Sequence, residues 1–217
     1  MWITFPKQNP PRGILFSSAL GWNRTNDPLL KRQVLYRLSY ERLCFLKRTV
    51  LYTVIMEISR EEKNYLLVLH DIRSVFNVGA LFRTADAVGI SHIILSGFSP
   101  TPIDRFGRAR ADFAKCSLGS EKTVSWEYVK TPNVKIKKLK TQGFHVVGVE
   151  QDKNSIDYKK VMKTEKMIFI LGTETTGVSK PLLKLCDTIA EIPMNGMKES
   201  LNVSVAGGIV LYRILDK

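Results

Sequence analysis

Cysteine is scarce in this chain, and so are long apolar runs. Three cysteines occur among 217 residues. Cys44, Cys116 and Cys186 are odd in number and widely scattered, which argues against both a disulfide framework and a cysteine-built metal cluster. The longest near-continuous apolar stretch, 50–56, falls far short of the ~20 residues a membrane-spanning helix needs. No secretory signal pattern precedes it. Internal repeats and low-complexity tracts are also missing. These absences predict a reduced, cytoplasmic protein with no metal and no membrane partner.

What is present is enough to fold. Apolar residues make up 44% of the chain, so a sizeable core is available and wholesale disorder is excluded. The net charge is +13, which suits a polyanionic partner but is weak evidence alone. Its distribution is uneven. Residues 1–55 hold nine Lys and Arg against two Asp and Glu, and the other 162 residues hold 24 against 18.

Residues 1–55 read poorly as part of a fold. Pro6, Pro10, Pro11 and Pro28 punctuate them, and no apolar period persists. The plain reading is a basic arm with an amphipathic helix over 29–46. Back-translation suggests another. Asn23-Arg24-Thr25 can be AAT-CGA-ACC, the reverse complement of a transfer-RNA T-loop sequence. In the same frame, Leu35-Tyr36-Arg37-Leu38-Ser39-Tyr40 can be CTC-TAC-CGA-CTG-AGC-TAT, whose complement contains a D-arm sequence. The expectation is a frame running antisense through a tRNA gene, with synthesis starting at Met56. The predicted division is thus 1–55, a spurious or disordered basic segment, and 56–217, the functional domain.

From Met56 onward the pattern is regular. Apolar runs predict strands over 65–70, 92–95, 144–149, 167–171 and 188–192. Asn77 is expected to cap a helix over 78–88 that closes at Gly89. Ser179 with Pro181 opens a short helix, and 201–215 reads as the last one. Alternating strands and helices predict an α/β domain, a parallel sheet covered by helices on both faces. Ligands in such sheets sit at the carboxyl ends of the strands. Three loops therefore draw attention.

The first runs Asn77-Val78-Gly79-Ala80-Leu81-Phe82-Arg83-Thr84-Ala85. Asn77 to Arg83 spans under two turns, so an Arg83 stem can reach back toward a helix N-terminus that favours phosphate. A capped helix with Arg83 paired to Asp86 or Asp71 is the plain alternative. The second loop is Leu171-Gly172-Thr173-Glu174-Thr175-Thr176-Gly177-Val178-Ser179. Its glycines permit close backbone approach to a ligand, yet it is neither a dinucleotide fingerprint nor a P-loop. Glu174 can bond a ligand or merely cap the next helix. The third runs Ile192-Pro193-Met194 through Ser200-Leu201-Asn202-Val203-Ser204. Ser200 reads most simply as an N-cap, and Gly207-Gly208 as close helix packing.

Each loop is unspecific, but the three in this order are not. Asn77-x-Gly79-x-x-x-Arg83-Thr84-Ala85, Leu171-Gly172-x-Glu174-x-x-Gly177 and Ile192-Pro193-Met194 through Ser200-Leu201-Asn202-Val203-Ser204-x-Ala206 resemble the SpoU-type (TrmH-like) branch of the SPOUT RNA methyltransferases. The resemblance runs from about Tyr65 to Asp216. It implies a C-terminal deep trefoil knot, a homodimer formed over the knotted region, and S-adenosyl-L-methionine as cofactor. The implied reaction is methyl transfer to a ribose 2′-hydroxyl of tRNA or rRNA. Val149, Leu171, Gly172, Gly177, Ile192, Met194, Ser200 and Leu201 would hold the cofactor. Arg83, Asn77, Glu174, Ser200 and Asn202 would form the catalytic group, with Asn77 orienting Arg83. Arg83 is either the base or a clamp on the 3′-phosphate, and the sequence leaves both open.

Arg83 with Arg105, Arg108, Arg110 and Lys115 would contact RNA, the last four in or near a flexible loop after the second strand. A solvated, salt-screened loop is the competing reading. Trp126 and Tyr128 could stack a base but read equally as core or dimer contacts. The alternative function is a non-enzymatic RNA-binding or assembly module that keeps the same fold.

Overall fold

The computed structural model describes residues 64–217. The expectations for residues 1–55, including the helix over 29–46 and the start at Met56, lie outside the described residues.

Seven strands form one fully parallel sheet in the order β3-β2-β1-β6-β4-β7-β5 among the described residues. They are β1 (Tyr65–His70), β2 (His92–Ser96), β3 (Ser125–Tyr128), β4 (His145–Val149), β5 (Ile156–Asp157), β6 (Met167–Leu171) and β7 (Thr188–Glu191). The helices are α1 (Val75–Val88), α2 (Ala111–Ser117), α3 (Ser120–Thr123), α4 (Pro132–Thr141), α5 (Lys180–Leu183) and α6 (Val203–Ile214). A 3-10 turn covers Tyr158–Lys160.

The apolar runs predicted the sheet because both of its faces are covered. Every residue of β6 is buried. Leu67, Leu69, Phe169 and Leu171 point to one side, where they meet Val78, Leu81 and Phe82 of α1 and Val210, Leu211 and Ile214 of α6. Leu66, Val68, Ile168 and Ile170 point to the other, against Ile136 of α4 and Leu182 of α5. This strict two-residue alternation makes any register slip swap the two cores.

Glycines set the closest approaches. A side chain at Gly79 would bring its Cβ to 2.5 Å from Cys116 Cβ, so α1 and α2 touch there. One at Gly207 would meet Leu81 and Leu171 at 2.7 and 2.8 Å, the close packing expected of the Gly207-Gly208 pair, whereas a Cβ at Gly208 would meet open space. Phe82 and Phe113 close the α1–α2 contact edge to face, with ring centroids 5.2 Å apart. His70, His92 and His145 bond Ser96, Ser125 and Thr188 and brace neighbouring strands.

Two helix starts differ from expectation. Ser74, not Asn77, caps α1, its Oγ accepting the Asn77 N–H at 3.3 Å. The helix therefore opens three residues earlier, and Asn77 sits in its first turn with its amide side chain free for other bonds. At α6 the cap is Asn202, not Ser200. Its Oδ1 accepts the Ser204 N–H at 2.9 Å and the Ser204 hydroxyl at 2.6 Å. The edge strands β3 and β5 were not foreseen, because short, half-exposed strands carry no apolar run.

Candidate active site

The first and third signature loops reach the second through side chains. Asn77, in the first turn of α1, donates its Nδ2–H to Glu174 Oε1 at 2.7 Å. Asn202, the cap of α6, donates its Nδ2–H to Asn77 Oδ1 at 3.1 Å. The oxygen of Asn202 holds Ser204 in turn. A carboxylate accepts and cannot donate, so each amide's orientation follows from this chain. Glu174, Asn77, Asn202 and Ser204, with Asn77 and Asn202 lying 125 positions apart in sequence, become one hydrogen-bonded line.

Beside this line lies a cavity of about 400 Å³ at the carboxyl ends of β4, β6 and β7. Val149, Leu171, Gly172, Gly177, Ile192, Met194, Ser200 and Leu201 all line it, as does Glu174. Its volume is within the range of about 300–1,000 Å³ usual for small-molecule sites. The wall is partly apolar, with Ala206 and Val203 at the start of α6, and partly bare backbone. Its charged side chains are Glu150, Glu174 and Glu191, all acidic.

Gly172 explains the backbone wall. A Cβ there would lie 2.2 Å from the Gly177 carbonyl carbon and oxygen and 2.4 Å from Val178 N. Those are main-chain atoms that cannot swing aside. The turn between them is closed by Thr173 N–H to Gly177 O at 3.1 Å and Gly177 N–H to Thr173 O at 2.9 Å. Gly177 adopts φ +67°, which a glycine takes without strain.

Sequence reasoning missed Glu150 and Gln151. Glu150 Oε2 accepts the Val178 N–H at 2.7 Å and so pins the Gly172–Val178 turn to the end of β4. Gln151 donates its Nε2–H to Glu199 O at 2.8 Å, tying the same strand end to the loop before α6. A polar pair after a strand looks like a solvated loop, so nothing in the sequence singled it out.

Arg83 is not drawn into this cluster. It is the ninth residue of α1, about 12 Å along the axis from the first. Asn77 stands roughly 120° around the helix from it and spends its amide on Glu174 and Asn202. The expected orienting of Arg83 by Asn77 is therefore replaced by orienting of Glu174 and Asn202. Nor does Arg83 pair with the two nearby acids. Asp86 accepts from Thr123 Oγ1 at 2.8 Å, and Asp71 contacts His70 at 3.1 Å. Arg83 is exposed, on the same face of α1 as Phe76 seven residues earlier.

The basic run is less uniform than its sequence. Arg108 pairs with Asp104 at 2.8 Å and Arg110 with Asp112 at 2.7 Å, while Lys115 lies on α2 just after the loop. The segment before α2 is a small hairpin closed by an Ile103–Ala109 bridge. The Arg108 N–H, bonded to Asp104, leads the interactions that hold that carboxyl below its ordinary range.

A sequence model described as the SpoU rRNA Methylase family matches residues 64–212, the span that carries the sheet, the cavity and the hydrogen-bonded line. The chain belongs to the SpoU methylase family. It is 31% identical over 159 residues to a tRNA (guanosine(18)-2′-O)-methyltransferase of Aquifex aeolicus, a match covering 71% of this chain and 70% of that protein. The Escherichia coli protein of the same name is 32% identical over 160 residues, and there the match spans 64% of the relative. Among solved structures, an AdoMet-bound rRNA methyltransferase from Sinorhizobium meliloti superimposes with a TM-score of 0.62 at 28% identity, over 70% of this chain and 55% of that one. No group of acidic, histidine or cysteine side chains among the described residues of this SpoU domain could hold a metal ion. None of its described helices is long and apolar enough to cross a membrane.

Proposed function

We propose that the protein transfers a methyl group from S-adenosyl-L-methionine to a ribose 2′-hydroxyl of tRNA or rRNA. One observation carries this reading. Glu174, Asn77 and Asn202, one from each signature loop, form a single hydrogen-bonded line beside a cavity whose charged side chains are all acidic. A nucleotide phosphate would be repelled there, whereas a cofactor with a sulfonium and an ammonium is attracted. The apolar wall suits an adenine ring, and the exposed main chain around Gly172 suits hydrogen bonds to its edge. The relatives' names point to the same chemistry.

Bound S-adenosyl-L-methionine supplies an electrophilic methyl group. The protein's own part is to position and to bind. Gly172, Leu171, Ile192 and Leu201 form the walls, Val149, Gly177, Met194 and Ser200 complete them, and Glu150 keeps the Gly172–Val178 turn in place. Glu174, Asn77 and Asn202 fix one another, so that the loops hold a single geometry without rearranging. Arg83 clamps the substrate phosphate beside the 2′-hydroxyl, because a guanidinium keeps its proton in proteins and binds phosphate in a fork.

The active form is a homodimer. Phe76 is 72% exposed, Val205 49% and Tyr212 42%, an apolar stripe on α1 and α6 that a second copy would cover. Arg83 shares the Phe76 face, so dimerisation would place it at a shared site. We further propose that the C-terminal part of the chain is threaded as a trefoil knot, as the resemblance to the SpoU-type methyltransferases implies. The functional domain is residues 56–217, and the protein works in the cytoplasm.

The test combines the full chain, labelled S-adenosyl-L-methionine and undermodified total RNA, followed by nuclease mapping. Label is expected in a 2′-O-methylated nucleotide. Arg83→Ala should lower turnover roughly 100-fold or more, the scale of losing one cationic contact to the reacting centre. Its cofactor affinity, read by calorimetry, should be unchanged. Label on a base, or none at all, refutes the reaction; normal turnover by Arg83→Ala refutes the clamp.

A further inference from the structure

At the β3 edge of the sheet, three strands from β6 and so about 14 Å from the cofactor cavity, lies a second groove. Its volume is about 690 Å³, and Ile103, Arg105, Phe106, Arg110, Trp126 and Tyr128 line it. On one side stands the hairpin bridged at Ile103 and Ala109, and on the other the edge strand β3.

The hairpin is rigid. Asp104 Oδ1 accepts the Phe106 N–H at 2.8 Å and the Arg108 N–H at 2.9 Å, while Oδ2 accepts Arg108 Nε–H at 2.8 Å. The turn nevertheless leaves the Phe106 ring 66% exposed. The guanidinium carbons of Arg105 and Arg108 lie 4.8 and 5.1 Å from its centroid. Across the groove, Tyr128 is 48% exposed and its hydroxyl donates to Gly97 O at 2.9 Å, which fixes that ring too. Both rings are thus left open to water, where they gain little from burial, Tyr128 anchored through its hydroxyl and Phe106 flanked by two guanidinium groups on a hydrogen-bonded turn. Arg108 and Arg110 are neutralised by Asp104 and Asp112, and Arg105 has no carboxylate partner among the described residues.

We propose that this groove takes an unstacked nucleobase of the RNA substrate, flanking the methylated nucleotide, with its π face on Phe106 and Tyr128 and its phosphate on Arg105. Exposed aromatic rings beside a cation are the elements single-stranded nucleic acid sites use, because every base has a π face and every nucleotide a phosphate. Arg108 and Arg110 then shape the hairpin rather than bind phosphate. The inference rests on the reading of the protein as an RNA methyltransferase and adds where the strand lies.

Trp126 is one of only three tryptophans, so Trp2→Phe with Trp22→Phe makes it the sole tryptophan of the full chain, excited selectively at the red edge of indole absorption where tyrosine does not absorb. That protein is titrated with a short oligoadenylate and with an abasic oligonucleotide of equal length. Oligoadenylate should quench Trp126, and the abasic strand should bind more weakly without quenching. Adding Phe106→Ala should weaken oligoadenylate binding roughly tenfold or more with the salt slope unchanged, as expected for one lost stack. Arg105→Gln should instead reduce that slope by about one. Equal binding of both strands, or Phe106→Ala binding as tightly as its parent, overturns the proposal. Methyl transfer measured in parallel separates the two readings. Transfer with an unchanged RNA KM in Phe106→Ala sinks the groove alone. Stacking without any transfer sinks the methyltransferase reading and leaves the groove as an RNA site.

Discussion

Replacing Asn77 by aspartate changes one atom in the line that joins the three loops. The new oxygen would face Glu174 Oε1 where Nδ2 now donates at 2.7 Å. The bond from Asn202 survives, since its acceptor on residue 77 remains an oxygen. Asn77→Asp therefore isolates a single contact. A hydrogen bond to a charged group contributes about 1.5–3 kcal/mol, and exposure of this pair favours the lower end. Two carboxylate oxygens 2.7 Å apart add about 1.5 kcal/mol of repulsion even in a water-like dielectric. Stability should fall by roughly 2–3 kcal/mol at pH 8, which moves the urea midpoint down by about 1 M. The pH dependence has a definite sign. Repulsion raises the folded-state pKa of one carboxyl, so the folded variant holds a proton that the unfolded chain releases. The deficit is full above that raised pKa and shrinks as pH falls through it. Adding Glu174→Gln restores a donor opposite the new acceptor and should recover most of the loss. A single variant that unfolds with the parent at pH 8, or a double variant no better than the single, would refute the assigned contact.

Two further changes probe the scaffold. Gly172→Ala drives a methyl group into main-chain atoms 2.2 Å away, so it should cost about 1–3 kcal/mol and abolish cofactor binding in calorimetry; parent-like affinity would show that the turn yields. Burial works to raise the Asp187 carboxyl, but hydrogen bonds from Lys140 Nζ at 2.7 Å and Val146 N–H at 2.9 Å outweigh it and hold the carboxyl below its ordinary range. A depressed carboxylate stabilises above its unfolded pKa and loses that contribution as pH falls through the folded one. Asp187→Asn should thus cost about 1 kcal/mol in urea unfolding at pH 7, with a gap that closes as the pH drops below about 4. A pH-independent gap would mean that charge plays no part.

How far the sequence reached depended on what each element needed from its neighbours. Strands buried on both faces, such as β1 and β6, must be apolar throughout, so 65–70 and 167–171 announced themselves. The three signature loops were legible because they need residue types with few substitutes: glycine where main chain crosses main chain at Gly172, and amides that both donate and accept at Asn77 and Asn202. The edge strand β3 and the hairpin before α2 were not, since half-exposed segments tolerate nearly any residue. Helix starts were misplaced because Ser74 and Asn77, or Ser200 and Asn202, are equally competent caps, and only tertiary contacts choose between them.

The chain alone thus gave the class of fold, through local rules of burial, turn chemistry and capping, and pointed to three loops at the carboxyl ends of the strands. Only the tertiary structure decided how these parts work together. It turned Asn77 toward Glu174 and Asn202 and left Arg83 on another face of the same helix. It recruited Glu150 as the strut of the Gly172–Val178 turn, and it neutralised Arg108 and Arg110 beside an exposed Phe106. These are contacts between positions far apart in sequence. A hydrogen bond or an ion pair depends on distance and direction in space, and neither is encoded in the order of the residues.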